Sequence, residues 1–319
     1  MALLIDCVPK LPSLDFGLSA WGYLVPFAIR KLHSLFAAEV SGIDLANPVS
    51  KAEVSAIHAG MDEYAVLVFH DQPLTDDQQI AFSKQLGFVE LATNNVTREE
   101  DRRIPIELAD ISNLAYDGQI IGREDRRQMF NLGNQLWHSD ASFKAIPAKY
   151  SLLSARSVPS AGGNTEFADM RAAYDALDEV TRSEVEDLVC EHSLIYSRAM
   201  LGFSFDDEEL EKVAPVKQRL VRRNKATGRK SLFLASHIGG IIGWPRPEAL
   251  AFVRDLIEHA TQRQFVYAHE WRVDDLVIWD NRQVMHRGRR YRHTQEVRDL
   301  RRATLRDDGP TVEQVGTAS

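Results

Sequence analysis

The shape of the apolar segments constrains this chain most. From residue 148 onward they are short and bounded by turns: AKYSLLSARSV (148–158), SAGGNTEF (160–167), KSLFLA (230–235), QFVYAHEW (264–271) and DDLVIWDN (274–281). Runs of this length, rich in β-branched and aromatic residues, read as strands, and a Gly-Gly turn leads into the second of them. Helical spacing is confined to fewer stretches. Residues 50–64 place Val54, Ile57 and Met61 on one face behind Ser50 as N-cap, and 74–87 opens at Thr75 and closes at Gly87. Residues 170–192 read as helices inserted between strands, and 246–262 as one long helix; AVLVFH (65–70) reads as a buried strand. The expected fold class is mainly β with helical decoration: a sandwich or jelly-roll barrel with helices outside, not a doubly wound α/β sheet. No stretch repeats, and there is no GxGxxG or P-loop sequence.

At 319 residues and 44% hydrophobic content, the chain can bury a sizeable core. Its formal charge of −8 argues against wholesale nucleic-acid coating. Two cysteines, Cys7 and Cys190, make neither a disulfide framework nor a metal site, so a reducing, cytoplasmic location is expected. The N-terminus has no basic segment before its apolar start, and Asp6, Lys10 and Asp15 interrupt it, which argues against a signal peptide or membrane span. Residues 1–31 are an extension of unknown use, 32–308 a single domain with helical insertions, and 309–319 a tail. Residues 91–133 are polar and irregular apart from a short strand in ELADISN (107–113), which suits a lid or binding loop better than a plain surface loop.

Candidate chemistry starts in GNQLWHSDASF (133–143). His138 is the only one of the ten histidines with an acidic residue two positions on. If 136–140 is extended, Leu136, His138 and Asp140 share a face, so an imidazole and a carboxylate can meet one ion. The spacing alone leaves open whether this is a metal claw or a polar interruption in a strand. A mononuclear iron site needs a second histidine. His286, in VIWDNRQVMHRGRRY (277–291), lies past an apolar strand and fits that role as well as it fits a surface histidine in a basic loop. The basic run HRGRRYRHTQEVRDLRR (286–302) lacks the interleaved aromatics of a nucleic-acid patch, and acidic residues break it. If 297–304 is a strand, Arg298, Leu300 and Arg302 share a face. Two inward guanidiniums are costly to bury without anions, and a dicarboxylate with an anionic substrate would supply them.

The sequence resembles the iron(II)/2-oxoglutarate dioxygenases of the taurine dioxygenase group, and within them the 2,4-dichlorophenoxyacetate/2-oxoglutarate dioxygenases. The resemblance runs from Leu32 to Asp308 and is carried by LHSLFAAEVSGIDL, DQQIAFSKQLG, ELADISN, NQLWHSDASF, GGNTEFADMRAAYDAL, EHATQRQFVY and VIWDNRQVMHRGRRY. It implies a double-stranded β-helix core and assigns His138, Asp140 and His286 as iron ligands. Thr165 matches the hydroxyl that contacts the co-substrate carboxylate, and Arg298 the partner of the distal carboxylate of 2-oxoglutarate. Arg302 matches a position reaching the iron-side anions, whether the co-substrate's near carboxylate or the substrate's acid group. Asn134 matches a substrate-contacting position. Spacing adds Phe143 as a cavity wall and His237, in LASHIGG, as a hydrogen-bonding group at the rim or a plain surface histidine. The interval from His286 to Arg298 is one residue longer than the family pattern, so Arg301 is the neighbour against which the register must be checked.

The implied chemistry needs Fe(II), 2-oxoglutarate and O2, and cleaves an anionic aromatic substrate to a phenol and glyoxylate with succinate and CO2. The expected partner is that small molecule, with no nucleic acid and no membrane, in a homo-oligomer. A taurine or alkylsulfonate dioxygenase is the nearest rival: it shares every metal and co-substrate residue and would release sulfite. A zinc hydrolase could use the same three ligands but would need neither the arginines nor 2-oxoglutarate. A cupin-like binding protein without turnover would have no reason to keep all of them.

Overall fold

In a computed structural model, the structure describes residues 27–92 and 102–313. Residues 1–26 of the expected extension and 314–319 of the expected tail lie outside the described residues. In chain order the elements are β1 (Ala28–Lys31), β2 (Ala38–Ser41), α1 (Lys51–Tyr64), β3 (Val66–Phe69), α2 (Asp76–Leu86), β4 (Ala109–Ser112), α3 (Arg126–Asn131) and β5 (Ala148–Ser157). They continue with β6 (Thr165–Asp169), α4 (Met170–Asp175), α5 (Glu179–Val185), β7 (Val189–His192), α6 (Leu194–Ala199), α7 (Asp207–Lys212), β8 (Val216–Arg219), β9 (Val221–Arg223) and β10 (Lys230–Leu232). The last are β11 (Ile238–Ile241), α8 (Arg246–Ala260), β12 (Val266–His269), β13 (Leu276–Asp280), β14 (Val284–Gly288) and β15 (Asp299–Arg306).

Seven strands form the main sheet in the order β1-β2-β3-β13-β5-β15-β4, antiparallel except for β2 beside β3. A three-stranded sheet, β12-β6-β14, lies against it. Alternation explains the layering. On β13, Leu276 and Ile278 face α1 and α2, packing with Ile57, Met61, Ile80 and Leu86. Val277 and Trp279 point the other way, into a core shared with Phe167 of β6 and Val284 of β14. Both faces of β13 are therefore covered, which is why it reads as a continuous apolar run. The outer side of the small sheet is covered in turn, where Ala168 and Met285 pack with residues of α4 and α8. No helix among the described residues is long and apolar enough to cross a membrane.

The two expected N-caps form complete capping boxes, Ser50 with Glu53 and Thr75 with Gln78. Some expectations need correction. The last part of the expected 170–192 helices is β7, because Val189–His192 finds partners on both edges, β11 and β8. Backbone pairing there overrides a local sequence without any helix breaker. The run 264–271 begins with a 3-10 turn, Arg263–Phe265, before β12. The irregular segment also contains α3, and ordered backbone starts before Leu32, since β1 pairs with β2 in register.

Ile278 is fully buried between sheet and helices. Ile278→Ala is expected to cost about 2–5 kcal/mol of stability. A urea midpoint within error of the parent would contradict this two-sided packing.

Candidate active site

The site begins with a backbone pairing between distant segments. His138 and His286 form an isolated antiparallel bridge, exchanging both hydrogen bonds at 3.0 and 2.8 Å. Only this residue of 136–140 is in strand pairing; Asp140 lies in the turn that follows. His286 is no surface residue of a basic loop but the buried centre of β14, and the next residue, Arg287, is tied to Glu166 and lies over the Trp137 ring. Ser139 locks the bridge from behind, its hydroxyl donating to the carbonyls of Leu234 and Val284.

Asp140 is held from several sides. Its N–H donates to Asn281 Oδ1 at 3.0 Å, and Ser151 Oγ donates to its Oδ2 at 2.7 Å. Asn281 Oδ1 also accepts from Trp279 Nε1, while its Nδ2 donates to Ser151. The carboxylate faces both imidazoles, with His138 Nε2 at 3.7 Å and His286 Nε2 at 3.6 Å. One ligand atom from each of the three residues lies within 4.8 Å of the others, and all three residues are buried.

The electrostatics suit cation binding. Burial pushes the Asp140 carboxyl up, but Arg302, His286, His138 and the Ser151 hydroxyl outweigh it and hold it at about 2. Burial pushes both imidazoles below their ordinary range, which favours the neutral, ligating form. His138 Nδ1 lies 2.8 Å from the Leu136 carbonyl, which assigns the proton to Nδ1 and leaves the Nε2 lone pair facing Asp140. Trp279 and Phe167 wall His286, with the indole centroid 4.6 Å from the imidazole.

Two cavities meet at His138 and Arg302. One is lined by Thr165, Arg298, Tyr291 and His286. Thr165 Oγ1 accepts from Trp271 Nε1 at 2.9 Å, which leaves its own proton free to donate. Arg298 is 8% exposed and donates through Nε to the Gly163 carbonyl, and burial pushes it down to about 10. Gly162 and Gly163 both have positive φ, 77° and 70°, and a Cβ on Gly162 would lie 2.4 Å from the Arg290 carbonyl oxygen, so glycine is required there. The other cavity is lined by Asn134, Phe143, His237 and Arg198. His237 is buried, not at a rim: its Nδ1 lies 2.9 Å from Ser197 Oγ, and its ring meets those of His138 and Phe143 edge-on.

Arg298 and Arg302 face the cavities, and Arg302 donates to Asp140 Oδ1. Arg301 points to the opposite face and pairs with Asp76 and Asp299. All the site residues expected from sequence thus gather around His138, while Arg198, Asn281, Ser151 and Trp271 were not anticipated.

Residues 28–304 match the family described as Taurine catabolism dioxygenase TauD, TfdA family. The chain belongs to that family. Within it, the chain is similar to the alpha-ketoglutarate-dependent 2,4-dichlorophenoxyacetate dioxygenase of Cupriavidus pinatubonensis, 49% identical over 87% of this chain and 96% of the relative. The (S)-phenoxypropionate/alpha-ketoglutarate-dioxygenase of Sphingobium herbicidovorans is 38% identical over 85% of this chain and 92% of its own length. The crystal structure of AAD-2 in complex with Mn(II) and N-oxalylglycine superposes with TM-score 0.84 at 54% identity, covering 90% of this chain and all of that one. For a TauD, TfdA family member the donor set fits: two neutral imidazoles and a carboxylate suit ferrous iron and leave positions for co-substrate and oxygen.

Asn281→Ala leaves the Asp140 N–H, the Trp279 indole N–H and the Ser151 hydroxyl each short of a partner. The expected cost is about 1–3 kcal/mol, read as a lower denaturant midpoint. An unchanged midpoint would show that Asn281 does not hold this cluster.

Proposed function

We propose that the chain is an iron(II)- and 2-oxoglutarate-dependent dioxygenase that hydroxylates the carbon beside the ether oxygen of aryloxyacetic acids such as 2,4-dichlorophenoxyacetate. The observation that carries this reading is the 49% identity, across 96% of its length, to a relative whose name states that substrate. His138, Asp140 and His286 hold the iron. Bound there with 2-oxoglutarate, ferrous iron supplies the chemistry that couples oxygen reduction and co-substrate decarboxylation to C–H hydroxylation.

The chain's own groups position the reactants. Arg298 takes the distal carboxylate of 2-oxoglutarate, and the Thr165 hydroxyl donates to it; a guanidinium already buried and without an acidic partner among the described residues gains most from that anion. Arg302, paired with Asp140 between the cavities, orients the iron-side anions. Asn134, Phe143 and His237 contact the substrate and exclude water from it. The hydroxylated product is a hemiacetal; its carbon–aryloxy oxygen bond breaks, the hydroxyl proton passes to the phenoxide, and glyoxylate and a phenol leave. Succinate and CO2 account for the co-substrate.

In the same reading the facing sheets form a double-stranded β-helix within one domain, residues 32–308 extended at its start by β1 (Ala28–Lys31), and flanked by an extension and a tail. The enzyme is cytoplasmic and homo-oligomeric, and sedimentation tests the assembly.

The test offers protein, iron(II) and 2-oxoglutarate a panel of phenoxyacetates and taurine. Phenol stoichiometric with succinate is expected, with turnover abolished in His138→Ala, Asp140→Ala and His286→Ala. Sulfite from taurine at rates matching phenol release would overturn the substrate, and near-parent activity in any of the three variants would overturn that ligand.

Arg298→Ala is expected to raise the KM for 2-oxoglutarate strongly, as a charge-assisted pair worth about 1.5–3 kcal/mol is lost. Arg298→Lys should recover only part of it. Arg301→Ala should leave that KM unchanged, because its side chain faces Asp76; the reverse pattern would reassign the co-substrate arginine.

A further inference from the structure

Seven arginines line the two cavities, and three of them, Arg302, Arg298 and Arg198, differ in how their charge is met. Arg302 is compensated by Asp140. Arg298 has no acidic partner among the described residues, and the co-substrate reading gives it one. Arg198, on α6, is the third. It is 4% exposed, its Nε has no hydrogen-bond partner, and no acidic group among the described residues pairs with it. Burying a guanidinium without an anion is costly unless a ligand supplies one.

Its surroundings are built around it. The guanidinium carbon lies 4.3 Å from the centroid of the Phe130 ring, a cation–π contact. On another side is Gly133, where a Cβ would fall 2.1 Å from Arg198 Nη1 and 2.2 Å from the guanidinium carbon, so any other residue would displace it. Arg198 Nη1 donates to Ser197 Oγ at 3.1 Å, the hydroxyl that also meets His237 Nδ1. The side chain lines the cavity shared by His138, Phe143 and His237.

Substrate chemistry sets where an acid anchor must be. In an aryloxyacetate the carboxylate is one bond from the carbon to be hydroxylated, so its partner must lie beside the iron ligands and clear of the ring. Arg198 meets both conditions: it lines one cavity with His138, Asp140 and Phe143, and Ser197 joins it to His237, whose ring centroid lies 5.8 Å from that of His138. Arg302 also has an Nε without a partner, but its charge is already met by Asp140 through Nη1, whereas that of Arg198 meets no acidic group among the described residues.

Resting on the aryloxyacetate reading above, we propose that Arg198 is the specificity-determining residue that binds the substrate carboxylate, held in place by Phe130, Gly133 and Ser197. Arg302 then serves the iron and co-substrate side.

The test compares the parent, Arg198→Gln, Arg198→Lys and Arg302→Gln, each with iron(II) and 2-oxoglutarate. Anaerobic calorimetry measures binding of 2,4-dichlorophenoxyacetate and of its neutral amide, and steady-state assays give both KM values. Arg198→Gln should weaken binding of the acid by roughly 10- to 100-fold and lose most of the acid-over-amide preference. Its KM for 2-oxoglutarate and its thermal midpoint should stay near the parent's, and Arg198→Lys should restore part of the acid affinity. An acid-over-amide preference kept in Arg198→Gln and lost in Arg302→Gln overturns the proposal and gives the acid group to Arg302. A loss of acid and amide binding alike, unrescued by lysine, overturns it in favour of a structural role. If the parent itself neither binds nor cleaves the acid, the aryloxyacetate reading fails, and this assignment falls with it.

Discussion

The polar centre of this fold hangs on the pair of backbone hydrogen bonds between His138 and His286. They join a loop-borne segment to β14, nearly 150 residues apart in sequence, and so bring two imidazoles to a centroid separation of 4.2 Å. Asp140 then arrives from the adjacent turn and is fixed from the opposite sheet by Asn281, Ser151 and Arg302. Each partner lies on or next to a strand buried on both faces, so the cluster inherits the rigidity of close-packed layers. Function here is a property of the junction between sheets, not of any one segment.

Charge follows the same geography. Ion pairs such as Arg301 with Asp76 and Arg171 with Asp169 are completed within the protein and lie away from the cavities. Pairs are completed at the cavities too, Arg103 with Asp110 and Lys144 with Glu90, but Arg298 on one side of His138 and Arg198 on the other have no acidic partner among the described residues. A site meant for two anions would be arranged this way. The cationic pocket is preformed, and the desolvation cost is met during folding, not at each binding event.

Much of this was legible in the sequence, and the reasons are local. The caps at Ser50 and Thr75 depend on residues three apart, and the continuous apolar runs of β3 and β13 depend on adjacent residues. Both signals survive without tertiary context. The His138–Asp140 spacing and the candidate His286 were visible but ambiguous until a resemblance favoured the ligand reading, since nothing local distinguishes a β14 centre from a basic loop. β7 was misread because its pairing partners come later in the chain. Arg198 carried no signal at all: the role proposed for it rests on Phe130 and Gly133, contributed by a different helix and turn, and on the lack of an acidic partner among the described residues.

Trp279 was described above as a wall behind His286, with its indole centroid 4.6 Å from the imidazole. That closeness also makes it a built-in optical probe. Indole emission is sensitive to charge and to open-shell ions at contact range, and this ring is buried, so bulk solvent contributes little to its signal. Of the five tryptophans, Trp279 stands directly behind an imidazole of the proposed ligand set. Its fluorescence should therefore follow the filling of the centre without any added label, even where no turnover occurs.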